Sequence, residues 1–91
     1  MRIEWDETKR QQVLSKRGID LAQLGSLLRS PYIEDQRSEV PEQYRLIGFV
    51  GRTLLSFIVE YRADDTGEYI WAVTAWKSTH QERRDYEQQI Y

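Results

Sequence analysis

The segment QYRLIGFVGRTLLSFIVEYR, Gln43 to Arg62, reads as a β-hairpin. Two runs rich in β-branched and aromatic residues flank Gly51-Arg52, and a glycine in a two-residue connection suits a tight turn. Working outward, ADDTGE after the second run carries Asp65, Thr66 and Gly67, a further turn signal, and YIWAVTAW is the next strand. On the other side, Pro31 to Pro41 is polar and turn-rich, and is predicted to hold a short edge strand at Tyr32–Glu34 followed by an exposed loop.

The ends of the chain read as helical, apart from a short first strand, RIEW. Asp6 is a suitable N-cap for a helix from about Glu7 to Lys16, closed by Gly18, with Val13 and Leu14 as its apolar anchors. Asp20 caps a second helix in which Leu21, Leu24, Leu27 and Leu28 form one core-facing stripe, and Pro31 stops it. The last helix has two overlapping start signals, Ser78 with Gln81 and Thr79 with Glu82, and Tyr86 and Ile90 give it an apolar edge. The expected order is β-α-α-β-β-β-β-α. Short turns between consecutive strands imply an antiparallel meander with two N-terminal helices and one C-terminal helix packed against it, a single α+β domain over 1–91.

Composition narrows the function. The chain has 91 residues, 40% hydrophobic and 31% charged, the profile of a soluble globular protein. It has no cysteine and one histidine, so no disulfide framework, metal site or cofactor is expected. The opening MRIEWDETKR lacks the apolar run of a signal peptide, and no stretch reaches the roughly 18 apolar residues of a membrane span. A cytoplasmic location is therefore expected. The formal net charge of −2 counts mildly against phosphate-dominated nucleic-acid binding, although a local basic face matters more than the sum. No helix with a basic recognition face is evident, which disfavours direct DNA binding.

Several pieces together resemble the BrnT-like toxins of bacterial type II toxin–antitoxin systems. Trp5, Asp6 and Lys9 match an opening WD-x-x-K element; SKRGIDLAQLGSLL matches a KHG-like helix end and a second short helix. YRLIGFVG and FIVEYR match a strand ending in glycine and one ending in arginine, and Glu82, Arg83 and Tyr86 match ER-x-x-Y. The resemblance spans essentially the whole chain in order and spacing. It implies a RelE-like fold, metal-free cleavage of RNA, and neutralisation by a DNA-binding antitoxin of the ribbon-helix-helix type, with operator DNA engaged only through the antitoxin complex. The chain departs from the pattern at Arg17, where histidine is expected, and at Gln43, Trp71 and Trp76, where arginines are expected.

Cleavage without a metal requires a deprotonated 2′-hydroxyl, a protonated leaving oxygen and a stabilised phosphate. Under the resemblance, Arg62, Lys77 and Arg83 would bind and polarise phosphate, His80 or Glu82 would move protons, and Tyr86 would orient. Four of them have a plain structural reading as well. His80 sits in the first turn of a helix, Glu82 serves the capping box, Arg62 adjoins an acidic turn, and Tyr86 packs. Strict alternation puts Trp71 and Trp76 on opposite faces of their strand unless a bulge intervenes. The alternative function is a non-catalytic protein-binding module of the same fold, its sheet face and tryptophans engaging a partner.

Overall fold

The computed structural model describes residues Met1–Tyr91. The elements are β1 (Arg2–Trp5), α1 (Glu7–Arg17), a 3-10 turn (Leu21–Gln23) running into α2 (Leu24–Leu28), β2 (Tyr32–Glu39), β3 (Glu42–Val50), β4 (Thr53–Asp64), β5 (Gly67–Lys77) and α3 (His80–Ile90). The protein is α+β, and its element order is the one read from the sequence.

The sheet order is β1-β5-β4-β3-β2. β2 to β5 form the expected antiparallel meander. β1, however, pairs parallel with β5, Arg2 opposite Tyr69 and Trp5 opposite Ala72, so the five-stranded sheet is mixed. The reason is burial: Ile3 and Trp5 pack against the main core, and only the free edge of β5 lets them reach it. A pairing between residues nearly seventy positions apart leaves no local trace in the sequence.

β2 is also longer than expected. It runs through the predicted loop to Glu39, accommodating one unpaired residue at Arg37 between the Gln36 and Ser38 registers. The ladder with β3 holds this polar segment extended, an outcome that its turn-rich composition conceals. The Gly51-Arg52 turn is as read, with Gly51 at φ 61°, a value that only glycine adopts without strain.

Period-two alternation divides the core in two. On one face, Leu46 of β3, Leu55, Phe57 and Val59 of β4, and Ile70, Ala72 and Ala75 of β5 meet Val13 of α1 and Leu21, Leu24 and Leu27 of the second helical segment. On the other, Ile33, Ile47 and Leu54 meet Tyr86 of α3, with Phe49 and Ile90 alongside. The helices thus cover both faces. Val13 anchors α1 as expected, but Leu14 is exposed, because the shallow contact of α1 takes only one apolar position per turn. The four-leucine stripe is split between a 3-10 turn and a five-residue helix, and it still buries Leu21, Leu24 and Leu27 completely.

The caps explain where the helices begin. Asp6 accepts from the Lys9 amide at 2.9 Å, and Gly18 closes α1 in the left-handed region. Asp20 accepts from the Ala22 amide, and its carboxylate also receives both arms of the Arg10 fork, at 2.9 and 3.0 Å, tying α1 to the next turn. For α3 the chain uses Thr79 with Glu82 and not Ser78 with Gln81. Ser78 is diverted to β4: its hydroxyl meets that of Ser56 at 2.8 Å and its amide donates to the Leu54 carbonyl.

Leu46 lies at the centre of the larger core and is fully buried. Replacing it with alanine should lower the unfolding free energy by about 2–5 kcal/mol. A urea titration would show this as an earlier midpoint at unchanged slope.

Candidate functional site

A single extra residue in β5 shapes the face beneath α3. Ile58 pairs with Thr74 but Val59 pairs with Ala72, so Val73 has no partner and the register slips by one. Trp71 and Trp76, five positions apart, consequently project from the same face, opposite Glu60 and Ser56. Gln43 and Arg45 of β3 and Glu60 and Arg62 of β4 share that face through the pairing of β3 with β4 and β4 with β5. α3 covers the half nearest the Gly51-Arg52 turn, and the half carrying Arg62, Tyr69 and Trp71 has no helix over it.

Under α3 the organising group is Glu82, a buried carboxylate. It accepts from the Thr79 amide at 2.8 Å, from the Trp76 indole at 2.9 Å and from Arg45 Nη1 at 3.1 Å. Arg45 turns its other donors to Asp35, Nε at 3.0 Å and Nη2 at 2.8 Å, which extends the chain of charges to the rim. Burial pushes the Glu82 carboxyl up, but the Thr79 amide, the Trp76 indole, the Ser56 hydroxyl and the Arg45 charge outweigh it and hold the group below the usual carboxylate range. With these donors seated on it, Glu82 is a weakened base, and protonating it would cost hydrogen bonds that cap α3.

On the open half, Arg62 lies over the Trp71 ring, its guanidinium carbon 4.3 Å from the ring centroid. It donates twice to Glu60, at 3.0 and 2.6 Å, and Gln43 donates to the other Glu60 oxygen at 2.8 Å. Gln43 first, and then Arg62, hold the Glu60 carboxyl below its ordinary value. Arg2 stacks over Tyr69 at 4.5 Å and pairs with Glu4 and Asp64. The result is a platform of aromatic rings with arginines laid across them.

The six residues singled out in the sequence do not meet at one point. Arg62 stands opposite Tyr69 and Lys77 opposite Leu55, seven registers apart along β4, or about 23 Å at strand rise. Lys77 also projects from the opposite face, the one that α1 covers. Arg83 reaches over Phe49 at 5.7 Å, at the turn end of the α3 face. His80 opens α3 and is exposed, three residues before Arg83 and so on the same side of the helix. Tyr86 is 3% exposed, packs edge-on against Phe49 and donates its hydroxyl to the Pro31 carbonyl at 3.0 Å. It is a core residue. No cluster of three or more histidine, aspartate or glutamate side chains is arranged to hold a metal ion, and no helix is long and apolar enough to cross a membrane.

Two residues central to this face carried little weight in the sequence. Neither Arg45 nor Glu60 is among the candidates that the motifs single out. The signal that could have found them is alternation: Gln43 and Arg45 on one strand, Glu60 and Arg62 on the next, each two apart. No protein-family model matches the sequence, and no curated protein matches it.

The depressed Glu82 titration fixes the sign of a pH effect. A carboxyl whose folded pKa lies below its unfolded value, near 4.3, adds stability above that pH and loses it as pH falls through the folded pKa. Glu82→Gln should therefore flatten the acid limb of a stability-versus-pH curve. Glu82→Ala, which removes the α3 capping partner and one of the two carboxylates paired with Arg45, should cost about 1–3 kcal/mol at neutral pH. Equal acid limbs for the wild type and Glu82→Gln would show that Glu82 is not the titrating group.

Proposed function

We propose that this chain is a BrnT-like toxin of RelE-like fold that acts on RNA and is held in check by a cognate antitoxin protein. The observation that carries the reading is the Val73 slip. It brings Trp71 and Trp76, two positions that the resemblance marks, to the sheet face that also carries Gln43 and Arg62 and that Glu82 of α3 covers. The β-α-α-β-β-β-β-α order and the motifs that match in order along the chain support it.

On this reading a single strand of RNA lies across the open half of the face. Trp71 offers a ring on which a base stacks, and Arg62, already over that ring, offers its remaining donors to the adjacent phosphate. At the other end of the face Arg83 supplies a second positive donor. His80, beside it, is the exposed group with a nitrogen to take the 2′-hydroxyl proton or to protonate the leaving 5′-oxygen. Lys77, on the opposite face, takes no part in this arrangement.

The engagement of Glu82 and Tyr86 in caps and core favours a second reading, a non-catalytic module whose tryptophan–arginine face binds a partner protein. Controlled expression separates the two. A toxin arrests growth and degrades RNA, and His80→Ala and Arg83→Ala each relieve the arrest. Growth and RNA left intact by folded wild-type protein would sink the nuclease reading and leave the binding module.

For RNA contact itself, Trp71→Ala and Arg62→Ala should each weaken affinity for a single-stranded oligonucleotide by about tenfold, the cost of one stacking or charged contact. Fluorescence anisotropy at two salt concentrations measures it. Arg62→Ala should also reduce the salt dependence, whereas Trp71→Ala should leave it unchanged.

A further inference from the structure

The face opposite α3 has a polar cleft of about 270 Å³ where the end of α1, the start of β4 and the end of β5 come together. Ile19 and Leu55 form part of its floor, and its polar lining is Arg17, Gln23, Thr53 and Lys77. No carboxylate lines it, although the chain has more acidic than basic residues, 15 against 13. Neither Arg17 nor Lys77 takes part in any of the seven ion pairs. The nearest acid in sequence to Arg17, Asp20, is engaged by Arg10 and by the Ala22 amide.

We infer that this cleft binds a phosphate group. The donors are positioned for it. Arg17 is held in place by its Nη1, which donates to the Ala75 carbonyl at 2.8 Å, so Nε and Nη2 of the planar fork remain for two oxygens of a ligand. Gln23 spends its carbonyl oxygen on the Asp20 amide at 2.9 Å, which orients its NH₂ group without consuming it. Thr53 contributes a hydroxyl and Lys77 a point charge with three donors. Two unpaired cations and two neutral donors around an acid-free hollow match the oxygens of a phosphate. Arg17 also completes the last turn of α1, a helix end that favours basic residues, but that role does not require its reach across to β5.

The same chemistry is presented by a phosphate of an RNA backbone and by a free phosphate or phosphorylated small molecule. The site stands apart from the face proposed to contact RNA, and its test reads different residues. The ¹H–¹⁵N spectrum of the whole chain would be followed during titration with inorganic phosphate, and separately with a short single-stranded RNA. Saturable shifts at Gly18, Thr53, Lys77 and the Arg17 side chain are expected with phosphate. Lys77→Gln and Arg17→Gln should each weaken the response about tenfold, and Arg17→Lys should restore part of it. If RNA moves the same signals at lower concentration than phosphate does, the source is a nucleic-acid backbone. If phosphate moves them and RNA does not, the source is a small phosphorylated ligand. Absence of shifts in both titrations, or shifts unchanged in both glutamine variants with native spectra, overturns the assignment.

Discussion

Six consecutive residues of β4, Leu54 to Val59, are buried, and that double-sided burial governs the rest of the structure. A strand covered on one face alternates between apolar and polar positions; a strand covered on both must be apolar throughout or pair its polar atoms. Leu55, Phe57 and Val59 call for a cover on one side, which α1 and the leucine-bearing segment after it provide. Leu54 and Ile58 call for one on the other, and α3 brings Tyr86 and Ile90 to the Leu54 end. Ser56 is the polar exception, and it is the residue to which Ser78 is tied at the entry to α3. The position of the last helix is thus set by the one hydroxyl that the central strand buries.

Much of this was legible in the sequence because it is local. The hairpin at Gly51-Arg52, the caps at Asp6, Asp20 and Thr79, the glycine closing α1 and the leucine stripe all declare themselves within four or five residues. What escaped is non-local. The parallel pairing of β1 depends on a free edge of β5, and the extension of β2 through a turn-rich segment depends on the ladder that β3 offers. Alternation could show that Trp71 and Trp76 need a bulge to share a face, but nothing in VTAW places the unpaired residue at Val73. The candidate site divides the same way. The resemblance, not local pattern, singled out Arg62 and Arg83. The capping box and the apolar edge of α3 already gave Glu82 and Tyr86 their structural roles, but only the packing reveals that Arg45 joins Glu82 and that Arg17 and Lys77 line the same cleft.

The tryptophans also change character once placed. Trp76 donates its indole N–H to the carboxylate that caps α3 and receives Arg45, so an aromatic residue completes a charged network. Trp71 instead carries an arginine on its ring and faces outward. Two residues of one type, brought to the same face by one slip in register, are divided between holding the helix and presenting a surface.

The union of β1 with β5 joins the first strand of the chain to the last. Arg2 finds Tyr69, and Ile3 and Trp5 reach the core only when that pairing forms. Closing a loop of this length is entropically costly and is repaid only after the contact exists, so it belongs late on the folding pathway. During synthesis β1 emerges before β5 and waits until the residues between them have followed. The meander of β2 to β5 with its short turns is the part able to organise early, and the edge it leaves on β5 is the template on which the beginning of the chain is finally laid down.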